Sequence, residues 1–178
     1  MKTIRLAVTA SFVSLLSLNG VVRAADDVKV ELKGTHLCCK QCVDTVDGIL
    51  KKVDGVTGKC DQKADTVTIT AKNEAAAAKA LEALAAGGFH GDTGNKDLAI
   101  KDDSGVEKGK VKTLTLIGVH DCCGKCNGKI KEVLKTVDGV KGDTAKAKTD
   151  SFDVTGDFDA ADVVKALNGA GFHVKVKK

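Results

Sequence analysis

The 178-residue chain has no proline, no tryptophan, no tyrosine and a single methionine. Without proline it has no cis-proline turn and no rigid polyproline spacer. That counts against a thioredoxin-type dithiol site, which leans on a cis-proline opposite its thiols. Five phenylalanines make up the whole aromatic complement, leaving few platforms on which bases could stack. Long apolar runs are scarce too. The one at 6–18 is too short to span a bilayer comfortably.

Acidic residues are absent from 1–24, where Lys2 and Arg5 precede the apolar run and Val22-Arg23-Ala24 follows it. This is the pattern of a secretory signal peptide cut after Ala24, so the mature protein is expected to be periplasmic or secreted, with no membrane attachment after cleavage. Removing 1–24 takes away three basic residues and no acid. The balance falls from 28 basic and 24 acidic residues to 25 and 24, a net charge of +1. A basicity that leaves with the leader carries no message about nucleic acid, and none is expected as a partner.

What the chain has in abundance is soft ligands. Six of its seven cysteines and two of its four histidines fall in two short stretches, His36-Leu37-Cys38-Cys39-Lys40-Gln41-Cys42 and His120-Asp121-Cys122-Cys123-Gly124-Lys125-Cys126. Disulfide scaffolds spread their cysteines to staple distant loops. Cysteines gathered in tight clusters beside histidine read as metal sites instead.

The clusters belong to a longer repeat. Residues 32–58 align with 116–142 without a gap and are identical at thirteen of twenty-seven positions, and Gly88-Phe89-His90 recurs as Gly171-Phe172-His173. Apolar alternation marks first strands at 28–32 and 111–119. Val46, Leu50 and Val53, with Ile130, Leu134 and Val137 in the second copy, recur at helical spacing. Short strands are expected at 56–60 and 67–69, and at 140–147 and 152–155. Second helices follow at 73–86 and 159–170, and a last strand is clearest at 173–177. The order β-α-β-β-α-β predicts an α+β protein of two tandem ferredoxin-like domains, each a four-stranded antiparallel sheet with two helices on one face. The expected divisions are 1–24 signal peptide, 25–91 first domain, 92–110 linker and 111–178 second domain. Leu98-Ala99-Ile100 reads either as an extra strand in the linker or as the last strand of the first domain.

In each copy the cysteine loop lies between strand one and helix one, and the start of strand four is at the same end of the sheet. Cys39 and Cys42, like Cys123 and Cys126, place one sulfur in the loop and one on the first helical turn, so both can face one ion. The helix N-terminus favours the thiolate. Cys38 and Cys122, together with His36, His120, His90 and His173, are further candidate ligands. In extended chain, neighbouring side chains point to opposite faces, so Cys38 joins Cys39 at an ion only if the loop turns sharply. Cys60, with Thr144 as its counterpart, reads as an ordinary strand residue.

With this order of elements and a Cys-x-x-Cys loop after strand one, both units resemble the heavy-metal-associated domain. That family occurs in copper chaperones, in the N-terminal arms of metal-pumping ATPases and in exported mercury-binding proteins. The resemblance implies metal bound by Cys39 and Cys42 and by Cys123 and Cys126. The family loop usually reads Gly-Met-Thr-Cys-x-x-Cys. Here His36 or His120 stands for the Gly, Leu37 or Asp121 for the Met, and Cys38 or Cys122 for the Thr. Leu37 can replace the Met as an apolar tether beneath the loop; Asp121 requires a rearrangement. Phe89 and Phe172 fill the place of an aromatic common near the family's last strand.

The expected function is that of an exported protein that scavenges or chaperones a soft or transition metal ion, Cu(I) first, with Zn(II) or Hg(II) as alternatives. A metal transporter or chaperone is the expected partner. A linker of this length holds the two sites at an effective concentration on the order of millimolar, so chelation across the domains is possible. Two other readings share the cysteines: a thiol-disulfide oxidoreductase, and a module that links to partners through disulfides. No catalytic constellation stands out, and the protein is not expected to be an enzyme.

Overall fold

The structure, a computed structural model, describes residues 27–178; the expected signal peptide lies outside them. The first half contains β1 (Val28–Lys33), α1 (Lys40–Leu50), β2 (Val56–Asp61), β3 (Thr66–Ala71) and α2 (Glu74–Ala86). The second contains β4 (Lys110–Ile117), α3 (Gly124–Leu134), β5 (Val140–Asp143), β6 (Ser151–Asp159), α4 (Ala160–Gly169) and β7 (Lys175–Val176). Both are two-layer α+β units of the ferredoxin-like kind, with antiparallel sheets.

Period-two alternation builds the sheets. In β3, Val67, Ile69 and Ala71 are buried while Thr66, Thr68 and Thr70 face the other way. The helices bury one stripe each: Cys42, Val46 and Leu50 on α1, and Cys126, Ile130, Val133 and Leu134 on α3. Asn73 caps α2 by accepting from the Ala76 backbone N–H, and Asp159 caps α4 by accepting from that of Ala161, as short polar N-cap residues do. The alanines of α2 let it lie close against its sheet, with Ala76, Ala77, Ala80, Leu81 and Leu84 buried.

The halves differ at the fourth strand. The second sheet runs β5-β6-β4-β7, with β7 reduced to two residues paired to Leu116 and Ile117. The first has only three strands, β1-β3-β2. Its would-be fourth strand touches β1 at a single bridge, where Lys33 and Asp92 exchange backbone hydrogen bonds of 2.8 Å. Residues 98–100 form no strand, although Leu98 is buried in the core.

The reason lies in where Gly88-Phe89-His90 goes. It pairs with its own repeat: the His90 N–H donates to Gly171 O and the His173 N–H to Gly88 O, both at 3.0 Å, with Phe89 opposite Phe172. Gly88 (φ +82°) and Gly171 (φ +88°) occupy the left-handed region, and a Cβ on either would lie 2.3 Å from the backbone nitrogen of His120 or His36. Only glycine permits this approach. The two halves are thereby docked about a pseudo-two-fold axis. The 92–110 segment is partly held as well, since Ser104 O accepts from the Val176 N–H. Among the described residues no helix is long and apolar enough to cross a membrane.

Candidate metal centre

Docking brings the two cysteine loops face to face. Cys39 and Cys123 are the N-cap residues of α1 and α3, with extended backbones and no side-chain capping bond. An N-cap side chain and the side chain three residues on are neighbours, the geometry that capping boxes use. Accordingly Sγ of Cys39 is 3.7 Å from that of Cys42, and Cys123 is 3.9 Å from Cys126. The vicinal cysteines join the same clusters, Cys38 at 3.7 Å from Cys42 and Cys122 at 3.6 Å from Cys126.

Equally short separations cross between the halves. Cys38 is 3.3 Å from Cys126 and 3.8 Å from Cys123; Cys39 is 3.8 Å from Cys122 and 3.9 Å from Cys123. Cys42 is 3.7 Å from Cys122 and 3.8 Å from Cys126. All six are free thiols. Thiolates arranged tetrahedrally at about 2.3 Å from one ion stand about 3.8 Å apart, so the spacing fits sulfurs that share metal. Side chains of neighbouring residues point apart in extended chain, yet Cys38 and Cys39 share the neighbours Cys42 and Cys123, so the loop turns both sulfurs toward one cluster.

His36 and His120 line the same space. The His36 ring lies on Phe172 and the His120 ring on Phe89, with centroids 4.5 and 4.3 Å apart; each stack crosses between the halves. Nε2 of both imidazoles is buried without a hydrogen-bond partner, a condition that costs about 1–3 kcal/mol unless a ligand satisfies it. Burial lowers the His36 pKa, keeping that ring in the neutral form that binds metal. Three groups of ligand atoms lie within 4.8 Å of one another: Cys42, His120, Cys122 and Cys126; His36, Cys38 and Cys126; and Cys38, Cys39 and Cys123.

The thiols are not equivalent. Burial pushes Cys38 up to about 12, and Cys122 is raised for the same reason. The hydrogen bond from Cys126 pulls Cys42 well down, and Cys126 is raised chiefly by that same contact. This inner pair thus gives up one proton readily and holds the other. Backbone N–H groups of Cys126 and Lys125, at the start of α3, bring Cys123 down to about 7. Cys60 lies outside the cluster, 3.9 Å from Asp47 Oδ1, and burial followed by that carboxylate raises its thiol to about 11.

His90 and His173 stand elsewhere in the docking seam. Their Nδ1 atoms are 3.1 Å apart, and His173 Nε2 is 2.7 Å from Asp103 Oδ1. Neither belongs to the three ligand groups found among the described residues. At the tether position, Leu37 is fully buried. Asp121 is held differently: its carboxylate accepts from Asn127 Nδ2 at 2.8 Å, and burial raises its pKa. The residues that bring the loops together, Gly88, Phe89, Gly171 and Phe172, were not expected to act across the domains. Their signal was the Gly-Phe-His repeat itself.

No curated protein sequence matches the chain. Among solved structures it is similar to oxidized MerP from Ralstonia metallidurans, with 28% identity over 38% of this chain and 97% of that one and a TM-score of 0.35. It is also similar to the N-terminal soluble domains of Bacillus subtilis CopA, with 16% identity over 86% of this chain and 95% of that one and a TM-score of 0.32. Residues 113–173, the stretch that carries Cys122, Cys123 and Cys126, match the family described as the heavy-metal-associated domain.

Proposed function

We propose that this protein binds soft heavy-metal ions outside the cytoplasm, capturing them with thiolates that its two halves present to each other. The observation that carries the reading is the meeting of six sulfurs and two unpartnered imidazole nitrogens at the docking seam. Soft thiolates with imidazole select Cu(I) or Zn(II) over hard cations, and Cu(I) is the ion of first choice. The family match of 113–173 supports heavy-metal binding. The first half, identical at thirteen of twenty-seven aligned positions, is a diverged second copy of the same domain.

The protein acts as a scavenger or chaperone rather than an enzyme. An ion leaves by ligand exchange: a thiolate of a metal transporter or chaperone enters as one of this protein's own departs. Cys39 and Cys123, which like Cys38 are half-buried where Cys42, Cys122 and Cys126 are buried, are the natural points of exchange. Export rests on the basic and apolar pattern of 1–24. Titration of the reduced full chain with Cu(I) and Zn(II) against competing chelators tests the function. Saturable binding that displaces the chelator is expected, and no binding of either ion would end the reading.

A further inference from the structure

A single soft ion takes at most four donors, yet eight converge here. The pseudo-two-fold axis relates Cys38 to Cys122, Cys39 to Cys123, Cys42 to Cys126 and His36 to His120. Two pairs straddle the axis. Cys42 and Cys126, 3.8 Å apart, are wholly inaccessible, whereas Cys39 and Cys123, 3.9 Å apart, are half-buried.

The inner pair is the shared edge of two sulfur triangles. On one side Cys122 is 3.7 Å from Cys42 and 3.6 Å from Cys126. On the other, Cys38 is 3.7 Å from Cys42 and 3.3 Å from Cys126. Each triangle has its own imidazole. His120 groups with Cys42, Cys122 and Cys126, and His36 with Cys38 and Cys126. Three sulfurs and one nitrogen make a complete tetrahedral set. Cys42, Cys122, Cys126 and His120 form one. His36, Cys38 and Cys126 form a group of three to which Cys42, 3.7 Å from Cys38 and 3.8 Å from Cys126, adds the third sulfur.

We propose that the protein holds two metal ions as a pair bridged by the Cys42 and Cys126 thiolates. One ion is completed by Cys122 and His120, the other by Cys38 and His36. Cys39 and Cys123 stand outside the pair and receive and surrender ions. On loading, each thiol releases its proton to solvent and a metal–sulfur bond replaces the S–H bond; no electron is transferred. This deepens the metal-binding function proposed above and depends on it.

Native mass spectrometry of the reduced full chain, titrated separately with Cu(I) and Zn(II), tests the bridge. With at least one of these ions the metal-free and two-ion forms should dominate, the one-ion form staying minor throughout. X-ray absorption of that loaded protein should show a short metal–metal scattering path. Cys42→Ser should lose both ions, because both share that sulfur. Cys39→Ser should retain both and take them up more slowly. Two independent Cys-x-x-Cys sites would instead lose one ion in either variant and fill one after the other, which overturns the bridge while leaving metal binding intact. If the wild-type chain binds neither ion, the proposed function itself falls. If circular dichroism shows that Cys42→Ser does not fold, Cys39→Ser decides: two ions retained supports the bridge, one ion overturns it.

Discussion

Leu37 and Asp121 occupy equivalent places beneath the two cysteine loops and hold them by different physics. Leu37 is wholly buried, so Leu37→Ala should cost about 2–5 kcal/mol, read as a lower urea midpoint. Asp121 substitutes a hydrogen bond from Asn127 for apolar packing. A second consequence at this scale concerns acid. Burial, then the neighbouring His173, lowers His90 from 6.5 to about 4. Between those values the unfolded chain takes up a proton at this position and the folded chain does not. Stability from His90 is therefore complete above about pH 6.5 and is lost as pH falls toward 4. His36, also lowered by burial, acts in the same direction. Asp92 and Asp102 oppose the His90 shift, and Asp103 holds the far side of His173. Urea titrations of the metal-free protein at pH 7.5 and 4.5 should show this loss, and His90→Gln should make it smaller.

Among the elements, the helices and paired strands were legible in the sequence, because alternation in β3 and the i, i+4 stripes of α1 and α3 are local signals. The fourth strand of the first half was not. Its residues have strand character, but Gly88 and Phe89 are spent on the other half, and nothing local distinguishes a glycine that opens a strand from one that admits a foreign backbone. For the same reason the candidate ligands were recognisable by type while their partition was hidden. That His36 meets Cys126 and His90 meets His173 depends on docking, which is written in the repeated Gly-Phe-His and not in either cysteine loop. Gly171→Ala tests this. It forces a Cβ against the His36 nitrogen and adds about 1–2 kcal/mol of left-handed backbone cost. Gly94 also has positive φ but open space around it, so Gly94→Ala should carry only the backbone cost. Thiol-labelling kinetics should show Cys42 and Cys126 reacting faster in Gly171→Ala and unchanged in Gly94→Ala.

For the whole molecule, the seam couples the stability of the halves to their cargo. Metal at a thousand times its dissociation constant adds about 4 kcal/mol to a state that alone binds it, which for a chain of this size corresponds to roughly 10 °C in Tm. Calorimetry of reduced protein should show that rise on loading, with both halves melting in one transition. Phe89→Ala, which removes the ring beneath His120, should lower the metal-free melting temperature and shrink the metal-induced rise. Because one polypeptide supplies both faces of the seam, its assembly is first order. Two separate copies of a single unit would have to find each other, and would part on dilution. Here both faces of the pocket travel on one chain, so the pocket persists at any dilution.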